Sequence, residues 1–132
     1  MHDFTYDDGG RLCCAEVPLE RIAREVGTPV YCYSLPTLRR HIQAFEEPLA
    51  GIDHQTCFAM KANSNMAILT LMGRHGLGAD VVSGGELFRA LKAGIPASKI
   101  VYSGVGKTTE EIDMAIGAGI MMFNIESEQE LG

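Results

Sequence analysis

One lysine ends a short apolar run in the stretch CFAMKANSN, which covers residues 57–65. A lysine within a buried strand is costly unless it is paired or has a chemical role. Small and polar residues follow Lys61. If burial lowers the pKa of such a lysine from about 10.4, the neutral amine can form a Schiff base with a carbonyl compound. The alternative is that Lys61 only marks where the strand reaches solvent, and these nine residues alone favour that alternative.

The elements that would position this lysine follow a repeating pattern from residue 55 onward. Each of four short apolar runs precedes a helix signal, and the runs are QTCFAM, ADVV, KIVYS and IMMFNI. Three of the helix signals are S/T-x-x-E capping boxes, formed by Ser83 and Glu86, Thr108 and Glu111, and Ser127 and Glu130. Glycines are placed to end the intervening helices. The pattern predicts a parallel sheet of four strands, ordered as in the chain, with helices on one outer face.

Chemistry in such a sheet gathers at the carboxyl ends of the strands. Besides Lys61, the polar residues expected there are Asn63, Ser83, Ser103, Asn124 and Glu126. Asp80 interrupts the apolar run GADVV, where a carboxylate needs a partner or solvent. It therefore lies either at the sheet rim or near Lys61.

A second lysine, Lys107 in SGVGKT, suggests a phosphate-binding loop. That loop needs a glycine five residues before the Gly-Lys-Thr, and Val101 stands there. The sequence therefore predicts Lys107 to be a solvated loop residue.

The first part of the chain has a different character. A short helix is predicted over PLERIAREVG, followed by a strand over TPVYCYS and by an amphipathic helix over LPTLRRHIQAFEEPL. Ser34 is the expected N-cap of the second helix, and Pro36 lies in its first turn.

Composition narrows the classes of function. The 132 residues include 11 basic and 17 acidic side chains, and the net charge of −6 disfavours a nucleic-acid partner. The beginning of the chain has no signal-peptide pattern, and no apolar run is long enough to span a membrane. The four cysteines are expected to be free thiols, which favours a cytoplasmic protein. The four histidines lack metal-ligand spacing, so no metal is assigned.

Two architectures share the repeating pattern, a doubly wound sheet and an eight-stranded α/β barrel. Four strands are too few to close a barrel, which takes about 250 residues. The last capping box also leaves its helix only begun at residue 132. We therefore expect the chain to be the front portion of a longer protein.

Five segments in order resemble the front of the diaminopimelate decarboxylase family, within the alanine racemase-like group of pyridoxal phosphate enzymes. They are GTPVYCYS, FAMKANSN, GADVVSGGEL, AGIPASKIVYSGVGKT and FNIESEQEL. The resemblance implies a (β/α)8 barrel and a separate β-domain. Residues 1–34 would belong with that β-domain, and residues 35–132 would form the first four βα units of the barrel. The strand over TPVYCYS would be lent to the β-domain.

The resemblance also implies a cofactor and roles for two residues. Lys61 matches the lysine that holds pyridoxal 5'-phosphate as a Schiff base. This match favours a chemical role for Lys61 over the alternative that it only marks the end of a strand. Asp80 matches an acidic position that the family keeps near that lysine. The implied reaction is decarboxylation of meso-diaminopimelate to L-lysine, in a cytoplasmic homodimer. The phosphate-binding loop, the substrate-binding residues and the partner-subunit residues would lie beyond residue 132, so the fragment alone is expected to be inactive.

Three other functions remain open at this point. The protein could be an arginine- or ornithine-type decarboxylase of the same fold, because the substrate-reading residues lie outside this stretch. It could be a non-catalytic pyridoxal phosphate-binding protein. The least favoured alternative is a structural α/β module in which Lys61 has no chemical role.

Overall fold

The structure is a computed structural model that describes residues 2–131. The chain divides into two compact units, Met1–Ile52 and Asp53–Gly132. None of the helices within residues 2–131 is long and apolar enough to cross a membrane.

The first unit contains a small antiparallel sheet and two helices. Strands pair in the order β1-β2-β3, and Cys13 and Cys14 of the central strand are buried. Burial raises the pKa of Cys14 to about 11, and the Cys32 thiol adds to the shift. The elements are β1 (Phe4–Tyr6), β2 (Leu12–Cys14), β3 (Val17–Pro18), α1 (Leu19–Val26) and α2 (Leu35–Glu46), followed by a 3-10 turn at Glu47–Leu49.

The beginning of α2 is fixed by hydrogen bonds to its side chains. The Ser34 hydroxyl accepts from the backbone N–H of Thr37 at 3.2 Å, which confirms the predicted N-cap. The Asp3 carboxylate accepts from the Thr37 hydroxyl at 2.8 Å and from Arg40 at 3.1 Å. These donors hold the pKa of Asp3 below its ordinary value, the bond from Thr37 having the largest effect. Asp3 thereby ties the beginning of the unit to this helix.

The strand predicted over TPVYCYS is not formed. Residues 28–34 have no strand in the structure, and the side chain of Tyr31 is 90% exposed. The prediction was wrong because it rested on β-forming composition alone, and a strand exists only where a neighbouring strand supplies hydrogen bonds. No such neighbour is present among residues 2–131. The transfer of this segment to a β-domain stays a prediction.

The second unit confirms the predicted parallel sheet. Four strands pair in parallel in the order β4-β5-β6-β7, the same order as in the chain. Helices alternate with the strands. The elements are β4 (Cys57–Ala59), α3 (Met66–Arg74), β5 (Gly78–Val81), α4 (Gly84–Lys92), β6 (Ile100–Tyr102), α5 (Thr109–Ala118) and β7 (Met122–Phe123), with 3-10 turns at Met60–Ala62, Ala97–Lys99 and Glu128–Leu131.

One face of the sheet is covered by the helices, as the sequence predicted. Alternate strand residues point to the same face, and the buried core contains Ala79, Val81, Ile100 and Tyr102 from the strands. The same core contains Leu69, Leu87, Ala90 and Ala115 from the three helices. Asp80 and Val101 alternate with these core positions and therefore face the other side of the sheet.

The predicted capping boxes are formed to different degrees. Thr108 and Glu111 form the complete box at the start of α5. The Ser83 hydroxyl caps α4, but the Glu86 carboxylate accepts from the N–H of Val82 instead of that of Ser83. The third box is not formed, because the Glu130 carboxylate accepts from the N–H of Glu126 instead of that of Ser127, and Glu128–Leu131 is a 3-10 turn. The first two helices start where the sequence placed them, since the capping oxygens of Ser83 and Thr108 satisfy free backbone donors.

Glu111 has a second contact that joins two helices. Its carboxylate accepts from the backbone N–H of Gly84, the first residue of α4, at 2.7 Å. This bond and the bond from Thr108 hold the pKa of Glu111 below its ordinary value. A side chain at Gly84 would crowd Met114 and Glu111, so glycine permits the close approach.

Candidate functional site

Lys61 lies on a 3-10 turn directly after the first strand of the parallel sheet. The turn Met60–Ala62 follows β4 and contacts β5, the strand that carries Asp80. Met60 is only 1% exposed and anchors the turn in the core, whereas Lys61 is exposed. Among residues 2–131, no hydrogen bond or ion pair engages the Lys61 ammonium. The fold therefore presents this amine at the carboxyl edge of the sheet without a competing partner.

The loop after Lys61 is held by a side chain from another helix. Arg89 of α4 donates two hydrogen bonds to the carbonyl oxygen of Ser64, from Nε at 3.0 Å and from Nη2 at 2.6 Å. Asn63 accepts from the N–H of Asn65 at 3.0 Å, and Asn65 caps α3 by accepting from Ala67 at 2.9 Å. The small and polar residues of KANSN thus form a defined loop. The contribution of Arg89 had no signal in the sequence, because its partner is a backbone carbonyl 25 residues away.

Asp80 is part of a hydrogen-bonded chain across three strands. The Ser103 hydroxyl donates to Oδ1 of Asp80 at 2.6 Å. The Asn124 amide donates to the same hydroxyl oxygen at 2.9 Å. Because Ser103 and Asn124 each follow the end of a parallel strand, they meet at the edge where the sequence placed Lys61. The partner that Asp80 requires is therefore Ser103, which the sequence placed at this edge without pairing the two.

The charge of Asp80 affects the pKa of the neighbouring Cys57 thiol. Cys57 lies on β4, next to the strand of Asp80. Burial raises the pKa of Cys57 and the negative charge of Asp80 adds to the increase, while Lys99 opposes it. Cys57 is therefore a packing residue with low thiolate content, and it is not a candidate nucleophile.

Lys107 is paired, contrary to the prediction that it is solvated. Its side chain is 1% exposed and lies 3.0 Å from the Glu130 carboxylate. The same ammonium donates to the carbonyl oxygen of Gly104 at 2.6 Å. The bond from the N–H of Glu126, followed by that from Lys107, holds the pKa of Glu130 below its ordinary value. The prediction was wrong because the partner lies 23 residues further along the chain, at a separation that local sequence does not reveal.

The predicted site residues thus gather at one edge of the second unit. The structure brings Asp80, Ser103 and Asn124 into direct contact and places the turn of Lys61 against the strand of Asp80. It provides no hydrogen bond or ion pair between Lys61 and Asp80. Within the described part of the chain, no three His, Cys, Asp or Glu residues could hold a metal ion.

The second unit combines a parallel sheet, helices on one face and the exposed amine of Lys61 at its carboxyl edge. A model of the pyridoxal-dependent decarboxylases, described as their pyridoxal binding domain, matches residues 35–132. The chain belongs to this family. Its α/β fold is the front part of a (β/α)8 barrel of the alanine racemase-like type.

Within this family, several similar proteins are diaminopimelate decarboxylases. The enzyme of Vibrio cholerae is 47% identical over 99% of this chain and 31% of its own length. The enzyme of Pseudomonas fluorescens is 48% identical over 100% of this chain and 32% of its own length. The crystal structure of the M. jannaschii enzyme in complex with L-lysine has a TM-score of 0.86 and 38% identity, over 99% of this chain and 32% of that one. The chain spans about a third of the length of these relatives.

Proposed function

We propose that this chain supplies the cofactor-binding front of a pyridoxal phosphate-dependent decarboxylase that converts meso-diaminopimelate to L-lysine in lysine biosynthesis. The observation that carries the proposal is the position of Lys61 in a domain of the pyridoxal-dependent family: its amine lies at the carboxyl edge of the sheet and has no partner among residues 2–131. The identity to diaminopimelate decarboxylases and the lysine complex of one of them support the choice of substrate.

The residues at this edge suit the cofactor. Pyridoxal phosphate carries an aldehyde that needs an accessible amine, and Lys61 is exposed on an anchored turn. The bound cofactor, when present, supplies an electron sink for the carbon that loses its carboxylate. In our proposal Lys61 holds the cofactor covalently. Asp80 supplies a negative charge near the Lys61 nitrogen and the amine nitrogen of the substrate.

In this proposal, the contacts of Arg89 hold the loop that follows Lys61. The two hydrogen bonds from Arg89 fix the backbone of Ser64, three residues beyond the reactive lysine. A fixed loop limits the positions of the backbone that carries Lys61, and such preorganisation lowers the entropic cost of bringing reactants together. In the overall reaction the Cα–carboxylate bond breaks, carbon dioxide leaves and a proton takes its place on carbon.

The alternatives differ in what the complete protein would do. An arginine- or ornithine-type decarboxylase would use the same lysine with another substrate. A non-catalytic binding protein would hold the cofactor without turnover. A solved lysine/ornithine decarboxylase from Vibrio vulnificus is only 19% identical and shares the fold alone, so the sequence similarity favours diaminopimelate. The homodimer implied by the family resemblance is likewise a proposal.

The test uses the complete protein with Lys61→Ala and a matched control, Lys92→Ala. Lys92 is an exposed lysine at the end of α4, over the ring of Phe88. We expect the wild type and Lys92→Ala to form a borohydride-stable pyridoxal phosphate adduct and to release carbon dioxide from meso-diaminopimelate. Lys61→Ala should lose the adduct and several orders of magnitude in rate, because Lys107, the other lysine beyond a strand end, is buried against the Glu130 carboxylate.

Each alternative has its own outcome in this experiment. An adduct that persists in Lys61→Ala would show that another lysine holds the cofactor. Turnover of arginine or ornithine in preference to meso-diaminopimelate would identify the other type of decarboxylase. An adduct on Lys61 without turnover of any of the three substrates would identify a binding protein.

A further inference from the structure

We propose that Ser103 and Asn124 are positioning residues that hold the Asp80 carboxylate in one orientation at the cofactor site. This inference rests on the proposed function. Neither residue needs to touch the substrate or the cofactor in this role. They act through Asp80, by the hydrogen bonds that join three neighbouring strand ends.

The direction of the hydrogen bonds follows from the chemistry of the three groups. A carboxylate oxygen only accepts, so the Ser103 hydroxyl gives its single proton to Oδ1 of Asp80, at 2.6 Å. The hydroxyl oxygen can then accept, and the Asn124 amide supplies the donor at 2.9 Å. The amide therefore favours the hydroxyl orientation that serves Asp80. The hydrogen bonds therefore run in one preferred direction, from the Asn124 amide to the Ser103 hydroxyl and from that hydroxyl to the Asp80 carboxylate.

The backbones that carry these side chains are fixed by the sheet. The N–H of Ser103 donates to the carbonyl of Val81 at 2.8 Å, and the N–H of Asn124 donates to the carbonyl of Tyr102 at 2.8 Å. Both bonds continue the parallel ladder one step beyond the regular strands. The hydroxyl and the amide are therefore presented by backbone that is hydrogen-bonded to the neighbouring strand.

The network engages only one of the two carboxylate oxygens. Among residues 2–131, Oδ2 of Asp80 accepts no hydrogen bond. A carboxylate held by one oxygen keeps the other available as an acceptor in a defined direction. Under the proposed function, the groups that need such an acceptor are the nitrogen atoms that react at Lys61. Without the serine hydroxyl, the carboxylate would rotate among several orientations and hold the productive one for less of the time.

The test is a double-mutant cycle in the complete protein, with Ser103→Ala, Asp80→Asn and the combined variant. Three quantities are measured for each protein: kcat and KM for meso-diaminopimelate, the rate at which a borohydride-stable cofactor adduct forms on Lys61, and the thermal midpoint. Ser98→Ala is the matched control, because Ser98 is an exposed serine on the 3-10 turn that precedes the same strand.

We expect Ser103→Ala to lower kcat and the rate of adduct formation about ten-fold, the effect of one lost hydrogen bond to a charged group, with KM nearly unchanged. In the Asp80→Asn background the same substitution should cost less than about two-fold, because residues that act through one another are not additive. Asn124→Ala should lower both rates by about three-fold, since it removes only the weaker neutral bond. Ser103→Thr keeps the hydroxyl and should retain most of the activity.

The outcomes separate this inference from the proposed function. Equal effects of Ser103→Ala in the wild-type and Asp80→Asn backgrounds, or a fall in the thermal midpoint with unchanged rates, would overturn the positioning role while the wild type remains an active decarboxylase. A wild-type protein that forms no adduct on Lys61 and turns over no substrate would overturn the proposed function, and the positioning role with it.

Discussion

Lys61 and Lys107 lie in opposite environments, although each follows a strand and lies among small residues. The ammonium of Lys61 is exposed and unpaired within the described chain. That of Lys107 is buried against a carboxylate and a backbone carbonyl. The availability of an amine is thus decided by distant partners. The sequence predicted the position of both lysines, but it did not predict which of them is free.

The pairing of Lys107 with Glu130 leads to a prediction about stability and pH. In the complete protein, Lys107→Ala should lower the thermal midpoint by several degrees at neutral pH, because it removes the cation from beside the largely buried Glu130 carboxylate. The pKa of Glu130 is lowered by the fold from 4.5. Its contribution is therefore fully present above that ordinary value and is lost as the pH falls through the lower folded value.

The measurement is the difference in thermal midpoint between wild type and variant, followed from neutral pH down to about pH 3. The difference should shrink as Glu130 is protonated. Lys92→Ala serves as the control, because Lys92 is exposed and contacts an aromatic ring instead of a carboxylate. A difference for Lys107→Ala that stays constant over this pH range would contradict the ion pair.

At the scale of elements, the second unit follows its local signals closely. The strands, their order and the three long helices were predicted, because apolar runs, caps and terminal glycines act within a few residues of one another. The absence of a strand at residues 28–34 was not predicted, because a strand depends on a neighbour that local composition does not specify. For the candidate site, the sequence predicted the positions of the residues but not their contacts. Ser103 and Asn124 were placed at strand ends, but their bonds link residues that lie 23 and 21 positions apart.

The packing of neighbouring strands gives a prediction for Gly78. A Cβ at this first residue of β5 would overlap the carbonyl oxygen of Lys99 and crowd Sγ of Cys57. Since the carbonyl belongs to the backbone just before β6, it cannot move without disturbing the sheet. Gly78→Ala should destabilise the complete protein by about 3 kcal/mol, the upper range for overpacking. Denaturant unfolding measures this change.

Gly117 provides the matched control for that substitution. It lies in α5, and a Cβ added there meets nothing within 4 Å. Gly117→Ala should raise the free energy of unfolding by about 0.5 kcal/mol, because alanine loses less backbone entropy in a helix. If the two substitutions had the same effect, close approach of the strands would not be the reason for glycine at position 78.

At the scale of the molecule, the sheet within residues 53–131 has two edges without a further strand and one face without helices. Val81 is fully buried on the helix side, whereas Met122, which pairs with Val101 on the other face, is 47% exposed. In parallel sheets both faces are normally covered. Membership in the pyridoxal-dependent family explains the open edge and the uncovered face. In a complete barrel, further strands pair beside β7, and side chains of the barrel interior cover the second face.

The last prediction concerns the 132-residue chain prepared alone. Unpaired strand edges recruit other chains, and each large apolar side chain left in water forgoes about 1.5–3 kcal/mol of burial. A few such residues equal the whole stability of an ordinary domain. We therefore expect the isolated chain to associate at micromolar concentration and to show no decarboxylation, because one edge of a barrel cannot enclose a substrate. Sedimentation velocity, with and without pyridoxal phosphate, measures the association. Addition of the remaining barrel as a separate polypeptide should reduce it by covering the open edge. A compact monomer that decarboxylates meso-diaminopimelate by itself would contradict this view of the chain.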